Sequence, residues 1–245
     1  LLTTRLCISD AGRWEAVPPT TITSSDSMTK VALSDDGSVR AGIHGSSLTI
    51  YRDSLQVMMV DHALSNGAEL STLAISGDGN TIAIGAGDHT DDGYDSCGIV
   101  YVYQYDGSVW NDLGYRIINP NGDGYYKKFG ESVALNYDGS ILVTGSPQGD
   151  SQTGMFSVFD LSAGGNAIIT NEVLSGNASD DDFGMWVEIS SNGLTIAVGA
   201  SDGDIDYGYV SIYDFEGSSW VLQTKVENIF STSSLAMSKS GNCLA

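Results

Sequence analysis

One pattern recurs along the whole chain: a short apolar strand, a tight turn ending in Gly, and a second apolar strand. Its copies read Val31-Ala32-Leu33-Ser34-Asp35-Asp36-Gly37, Leu73-Ala74-Ile75-Ser76-Gly77-Asp78-Gly79, Val133-Ala134-Leu135-Asn136-Tyr137-Asp138-Gly139, Val187-Glu188-Ile189-Ser190-Ser191-Asn192-Gly193 and Leu235-Ala236-Met237-Ser238-Lys239-Ser240-Gly241. The turn glycines are 42, 60, 54 and 48 residues apart. A unit of that length made only of short strands cannot bury its apolar faces alone. It must stack against its neighbours around an axis, which predicts a β-propeller.

Each unit reads as four strands. Strand a precedes the Gly turn, which favours positive φ and closes a hairpin. Strand b follows it, as in Thr81 to Gly85. Strand c alternates aromatic and β-branched residues, as in Ile99-Val100-Tyr101-Val102-Tyr103. Strand d opens on Trp in Asp106-Gly107-Ser108-Val109-Trp110 and Glu216-Gly217-Ser218-Ser219-Trp220. No segment carries a helical period.

The chain ends fit this frame out of phase. Leu2 to Ile8 resembles strand c, and Trp14 to Val17 starts strand d. The last residues supply strand a and the start of strand b. The expectation is therefore one all-β domain over 1–245: a five-bladed propeller of four-stranded antiparallel blades. Four repeats lie near 27–68, 69–128, 129–182 and 183–230, and a composite blade joins 1–26 to 231–245. Sharing a blade between both chain ends protects the sheet edges. It also puts Cys243, at the start of strand b, near Cys7, at the end of the antiparallel strand c. The reading is a disulfide between them, with two free thiols as the alternative and Cys97 left over.

Charge limits the partners. Thirty-one acidic against ten basic residues give −21. Nucleic acid is excluded as a partner, because phosphate neutralisation needs Lys and Arg clusters and Lys127-Lys128 is the only basic pair. An anionic membrane surface is disfavoured likewise, and direct membrane insertion is not expected. No apolar run approaches the roughly 18 residues of a spanning helix.

Phe129-Gly130-Glu131-Ser132-Val133-Ala134-Leu135, followed by Ile141 to Pro147, resembles the FG-GAP repeat of integrin-α-like propellers, and Phe183-Gly184 with Ile196 to Ala200 repeats the match. The resemblance runs over most of the chain through the a–b hairpin, with the Phe-Gly element itself in two repeats. It implies an extracellular or cell-surface propeller used in adhesion, ligand binding or assembly. One departure matters. The family's calcium loops lie between strands a and b, and here that link is a turn too short to wrap a cation that takes six to eight oxygens.

Calcium, if bound, is sought in the b–c loops. Asp202, Asp204 and Asp206 alternate so that three carboxylates can converge; Asp88, Asp91, Asp92 and Asp95 form a weaker set. Solvated acidic loops are the plain alternative. A further acidic run, Asp180-Asp181-Asp182, reads as a solvated d–a loop. Asn177-Ala178-Ser179 is a glycosylation sequon.

Catalytic patterns are sparse. His44, His62 and His89 form no metal-binding pair, and no nucleophile elbow or phosphate loop occurs. Glu188 stands where the other repeats carry Ala32, Ala74, Ala134 and Ala236, and Glu131 begins a neighbouring inner strand. These two are the candidates for a glycosidase carboxylate pair. The primary expectation is a non-catalytic surface module that binds protein or glycan within a larger assembly, with calcium as the one cofactor considered. The alternative is a carbohydrate-active propeller. As a lectin it would offer Tyr94, Tyr125, Tyr126, Tyr207 and Trp186 for stacking.

Overall fold

The computed structural model describes residues 5–8, 14–17, 28–53, 55–65, 67–90, 96–117, 128–149, 153–162, 167–168, 174–176, 180–201, 208–229 and 234–245. The regular elements among them are all strands, as the absence of a helical period predicts. A first hairpin joins β1 (Arg5–Ile8) to β2 (Trp14–Val17). Four antiparallel sheets follow in chain order. The first is β3 (Lys30–Leu33), β4 (Val39–His44), β5 (Ser47–Arg52) and β6 (Leu55–Asp61). The second is β7 (Thr72–Ile75), β8 (Thr81–Ala86), β9 (Ile99–Tyr105) and β10 (Trp110–Ile117). The third is β11 (Ser132–Leu135), β12 (Ile141–Ser146) and β13 (Met155–Asp160), with its outer position divided between β14 (Ala167–Ile168) and β15 (Leu174–Ser175). The fourth is β16 (Trp186–Ile189), β17 (Thr195–Ala200), β18 (Gly208–Phe215) and β19 (Trp220–Ile229). Each sheet is one blade of a propeller-like stack.

The repeated turn explains the uniformity. In the first repeat the Ser34 hydroxyl donates to Asp36 (2.7 Å) and accepts from the Val39 amide (3.0 Å), while Gly37 returns its N–H to the Ser34 carbonyl. Ser76 and Ser190 make the same set, and Asn136 substitutes its amide oxygen for the hydroxyl. Ser238 does so again near the C-terminus, where it accepts from the Cys243 amide (3.0 Å). Gly is required at the end of each turn, because φ is +67° to +76° at all five.

These turns also touch one another in sequence. The Asp35 amide donates to the Gly77 carbonyl, Asp78 to Tyr137, Tyr137 to Ser191, and Ser191 to Lys239. The Lys239 ammonium then lies 2.7 Å from the Asp35 carboxylate. The five turns thus form a circuit, four links in backbone and one an ion pair.

The cores lie between successive blades. Ile43, Leu48 and Ile50 meet Leu73, Tyr101 and Tyr103; Val100 and Val102 meet Phe129, Val133 and Leu142; Phe156 and Val158 meet Phe183, Val187 and Tyr213. Strand c therefore divides its side chains between the blade before and the blade after. Most of the described aromatic rings serve this packing. Phe183 stacks on Tyr209 at 5.8 Å, and Phe156 meets Tyr213 at 5.1 Å.

Two Gly contacts set the blade spacing. A Cβ on Gly85 would lie 2.0 Å from the Gly130 carbonyl oxygen, and one on Gly145 would lie 1.9 Å from that of Gly184. The Phe-Gly element thus has two roles: Phe129 and Phe183 are fully buried anchors, and the Gly carbonyl rests on the glycine of the previous blade.

The acidic run before Phe183 differs from the solvated loop expected. Asp181 is 2% exposed and accepts a hydrogen bond from the Tyr209 hydroxyl at 2.8 Å. Chain turning through positive φ at Asp180 and Asp182 carries the middle carboxylate inward. Asp181→Ala removes that acceptor, with an expected loss of about 1–3 kcal/mol in urea unfolding. An unchanged midpoint would show that the bond contributes nothing.

Candidate functional site

A cavity of about 660 Å³ opens where three successive inner strands begin. Thr29 and Lys30 lead into β3, Ser71 precedes β7 and Glu131 precedes β11; Glu69 and Asp88 complete the polar lining. Each comes from a connection that the turn-locked sheets hold in place. Thr29 donates its hydroxyl to the Ile43 carbonyl at 3.0 Å, which ties this rim to strand β4.

The charges are mixed. Burial pushes the Glu131 carboxyl above its ordinary range, and the neighbouring Lys128 ammonium offsets part of that effect. Its carboxylate rests against Gly87, where a Cβ would lie 2.4 Å from Oε2. Asp88 faces Lys128 at 3.8 Å. This lining offers one ammonium, three carboxylates and no aromatic ring. It suits hydrogen bonding and ion pairing and gives a sugar ring nothing to stack on.

The proposed carboxylate pair is divided. Glu131 lines the cavity and Glu188 does not. Glu188 is the third residue of β16, opposite Ala197, and burial alone pushes its carboxyl up to about 7. Asp88 is exposed at the cavity rim. Asp91, Asp92, Asp95, Asp202, Asp204, Asp206 and Asn177 lie outside the described residues. Among the described residues no group of three or more His, Cys, Asp or Glu side chains is placed to hold a metal ion. Cys243 is an exposed free thiol, and the Cys7 side chain lies outside the described residues.

Two histidines are buried, contrary to ordinary loop positions. His62 accepts or donates at Nε2 to the Tyr103 hydroxyl (2.7 Å) and meets the Ser46 carbonyl through Nδ1 (3.1 Å); burial lowers its basicity. His89 sits beside Ser65, with Oγ 3.2 Å from Nδ1. That spacing looks like a Ser–His dyad. The Ser65 hydroxyl instead donates to the Thr90 carbonyl and accepts from the Thr90 amide, while the Ser65 amide points to Nδ1 (3.3 Å). The group is a loop clamp, and its hydroxyl proton is not directed at the imidazole.

Lys30 and Glu69 carry no signal in the sequence. They belong to different repeats and stand at no motif, so only the blade stacking brings them to one cavity.

Neither a family model nor a curated protein sequence matches the chain.

Proposed function

We propose that the chain is a five-bladed β-propeller serving as a non-catalytic interaction module at a cell surface or outside the cell. The observation that carries this reading is the mixed-charge cavity assembled from the connections of three blades. A rigid scaffold with a polar, loop-built recess is suited to holding a partner's polar groups. The circuit of five turns supports the blade count, with the chain's first and last strands sharing the fifth blade. The FG-GAP resemblance supports the setting and the adhesive or assembly role. The lining without aromatic rings favours a protein partner over a sugar.

The test is binding of the immobilised chain to a panel of extracellular proteins, compared with Asp88→Ala and Glu69→Ala variants. At least tenfold weaker retention by either variant is expected, the scale of a lost charged contact. Hydrolysis of aryl glycosides that Glu131→Gln abolishes would overturn the reading in favour of an enzyme. Calcium is tested separately. In the proposal that it braces the b–c loops, chelator-treated chain gains melting temperature with calcium and not with magnesium. Substitution of Asp202, Asp204 and Asp206 is expected to remove that gain.

A further inference from the structure

The register of the four complete blades assigns Cys7 and Cys243 to one cross-strand pair. In each blade, the second residue after the turn glycine faces a fixed position on strand c: Val39 faces Arg52, Thr81 faces Gln104, Ile141 faces Asp160 and Thr195 faces Asp214. Cys243 is the second residue after Gly241, and its amide bonds Ser238 Oγ as those of Val39, Thr81 and Thr195 bond Ser34, Ser76 and Ser190. The facing position on strand c is the one just before the residue that pairs the first Trp of strand d. Tyr105 pairs Trp110, so that position is Gln104; Phe215 pairs Trp220, so it is Asp214. In the N-terminal hairpin Ile8 pairs Trp14, so it is Cys7.

The hydrogen bonds around this pair define its type. Tyr105 donates to the Asn80 carbonyl and Phe215 to that of Leu194, so the bonds flank the pair and do not join it. Residues in such a pair have Cα atoms about 4.5 Å apart, inside the range that a disulfide spans. Side chains do meet there: Thr195 Oγ1 donates to Asp214 Oδ1 at 2.8 Å.

An uncovered face on the first blade matches the place that two further strands would take. Leu73 and Ile75, Val133 and Leu135, and Val187 and Ile189 pack in the cores, whereas their counterparts Val31 and Leu33 are 71% and 59% exposed. Met59 shares that face through Thr49 and Gly42 and is 62% exposed. The connection from Val17 to Lys30 covers 18–29, comparable with 62–71 and 118–131 between other outer and inner strands.

We propose that β1 and β2 fill this place and that Cys7 and Cys243 form a disulfide that closes the ring covalently. This rests on the five-blade reading. The step joins two thiols through one S–S bond and releases two protons and two electrons; a small-molecule disulfide such as oxidised glutathione accepts them and leaves as two thiols. The exposed Cys243 thiol is open to that exchange.

The chain is incubated with oxidised glutathione, then examined by peptide mapping and thermal unfolding. A Cys7–Cys243 cross-linked peptide is expected, with Cys97 left as a thiol and the melting temperature raised by roughly 5–15 °C. Cys7→Ser, or Cys243→Ala if that variant fails to fold, is expected to abolish the rise. Only mixed disulfides with glutathione, or links between two chains, would overturn the clasp. Hydrogen exchange separates the two readings. Protection of 5–8 and 14–17 without a cross-link would leave the five-blade ring standing and remove the clasp; rapid exchange there would remove both.

Discussion

Gly145→Ala is expected to destabilise the chain by roughly 3 kcal/mol or more, near the upper end for overpacking. The added Cβ would lie 1.9 Å from the Gly184 carbonyl oxygen and 2.3 Å from Ser132 Oγ. Neither neighbour can yield cheaply. The Gly184 oxygen accepts the Ser132 hydroxyl at 2.8 Å, and the Gly184 amide bonds the Gly199 carbonyl at 3.0 Å. Relief therefore requires the fourth blade to move from the third, opening the packing of Phe156 on Phe183. For a chain of this size the shift in melting temperature is roughly 6–12 °C. Gly217→Ala is the control. Gly217 has φ +73° with nothing within 4 Å of its Cβ position, so only the left-handed backbone is penalised, about 1–2 kcal/mol. Equal losses at the two sites would sink the claim that blade spacing rests on Gly145. The repeats agree with it internally: where the following blade has Leu70 in place of the Gly of Phe-Gly, the counterpart of Gly145 is Ile43, and the two pack in one core.

Glu188→Ala is expected to stabilise the chain at pH 8 and leave it unchanged near pH 4. Burial pushes the folded Glu188 carboxyl up to about 7, from 4.5 for an unperturbed glutamate. Below about pH 4.5 both folded and unfolded chains hold the proton, and the residue contributes no difference. Between about 4.5 and 7 the unfolded chain releases it first, so stability falls as pH rises. Above 7 the loss is complete at about 2–3 kcal/mol, allowing for the partial solvent access of a half-buried side chain. Alanine, which the other four repeats carry at this point, removes that slope. Glu188→Gln, of similar volume and without charge, is expected to do the same. Thermal unfolding from pH 4 to 8 checks both. A lower melting temperature for the two variants at pH 8 would mean that the ionised carboxylate makes a favourable contact. The position is also where a function for the inner strands is best sought, since its charge opposes folding and its counterparts do not share it.

Much of the blade is legible in the sequence, because it depends on residues close together along the chain. The Ser-x-Asp-Gly turn satisfies its own backbone within a few residues, and alternation along strands b and c states which side chains must be buried. Trp110 and Trp220 open their strands as expected. The site is harder to see. Glu131 stands out through its place beside Phe-Gly, but its companions Lys30, Glu69 and Asp88 come from separate connections with no common spacing. Asp181 misleads because a run of three acids resembles a solvated loop, and the backbone turn that buries the middle one has no mark in composition.

The amino-acid sequence by itself determined the all-β class, the repeated hairpin and its turn, and the exclusion of nucleic acid by charge. These follow from local hydrogen bonding, side-chain periodicity and net charge, which need no knowledge of distant contacts. Tertiary structure alone decided which residues meet across blades: the Gly145–Gly184 contact, the Tyr209–Asp181 bond, the division of Glu131 from Glu188, and the Lys239–Asp35 ion pair that completes the circuit of turns. Those pairings depend on how far one sheet stands from the next and at what angle. That spacing comes from the summed packing of many side chains, and no single segment of the chain encodes it.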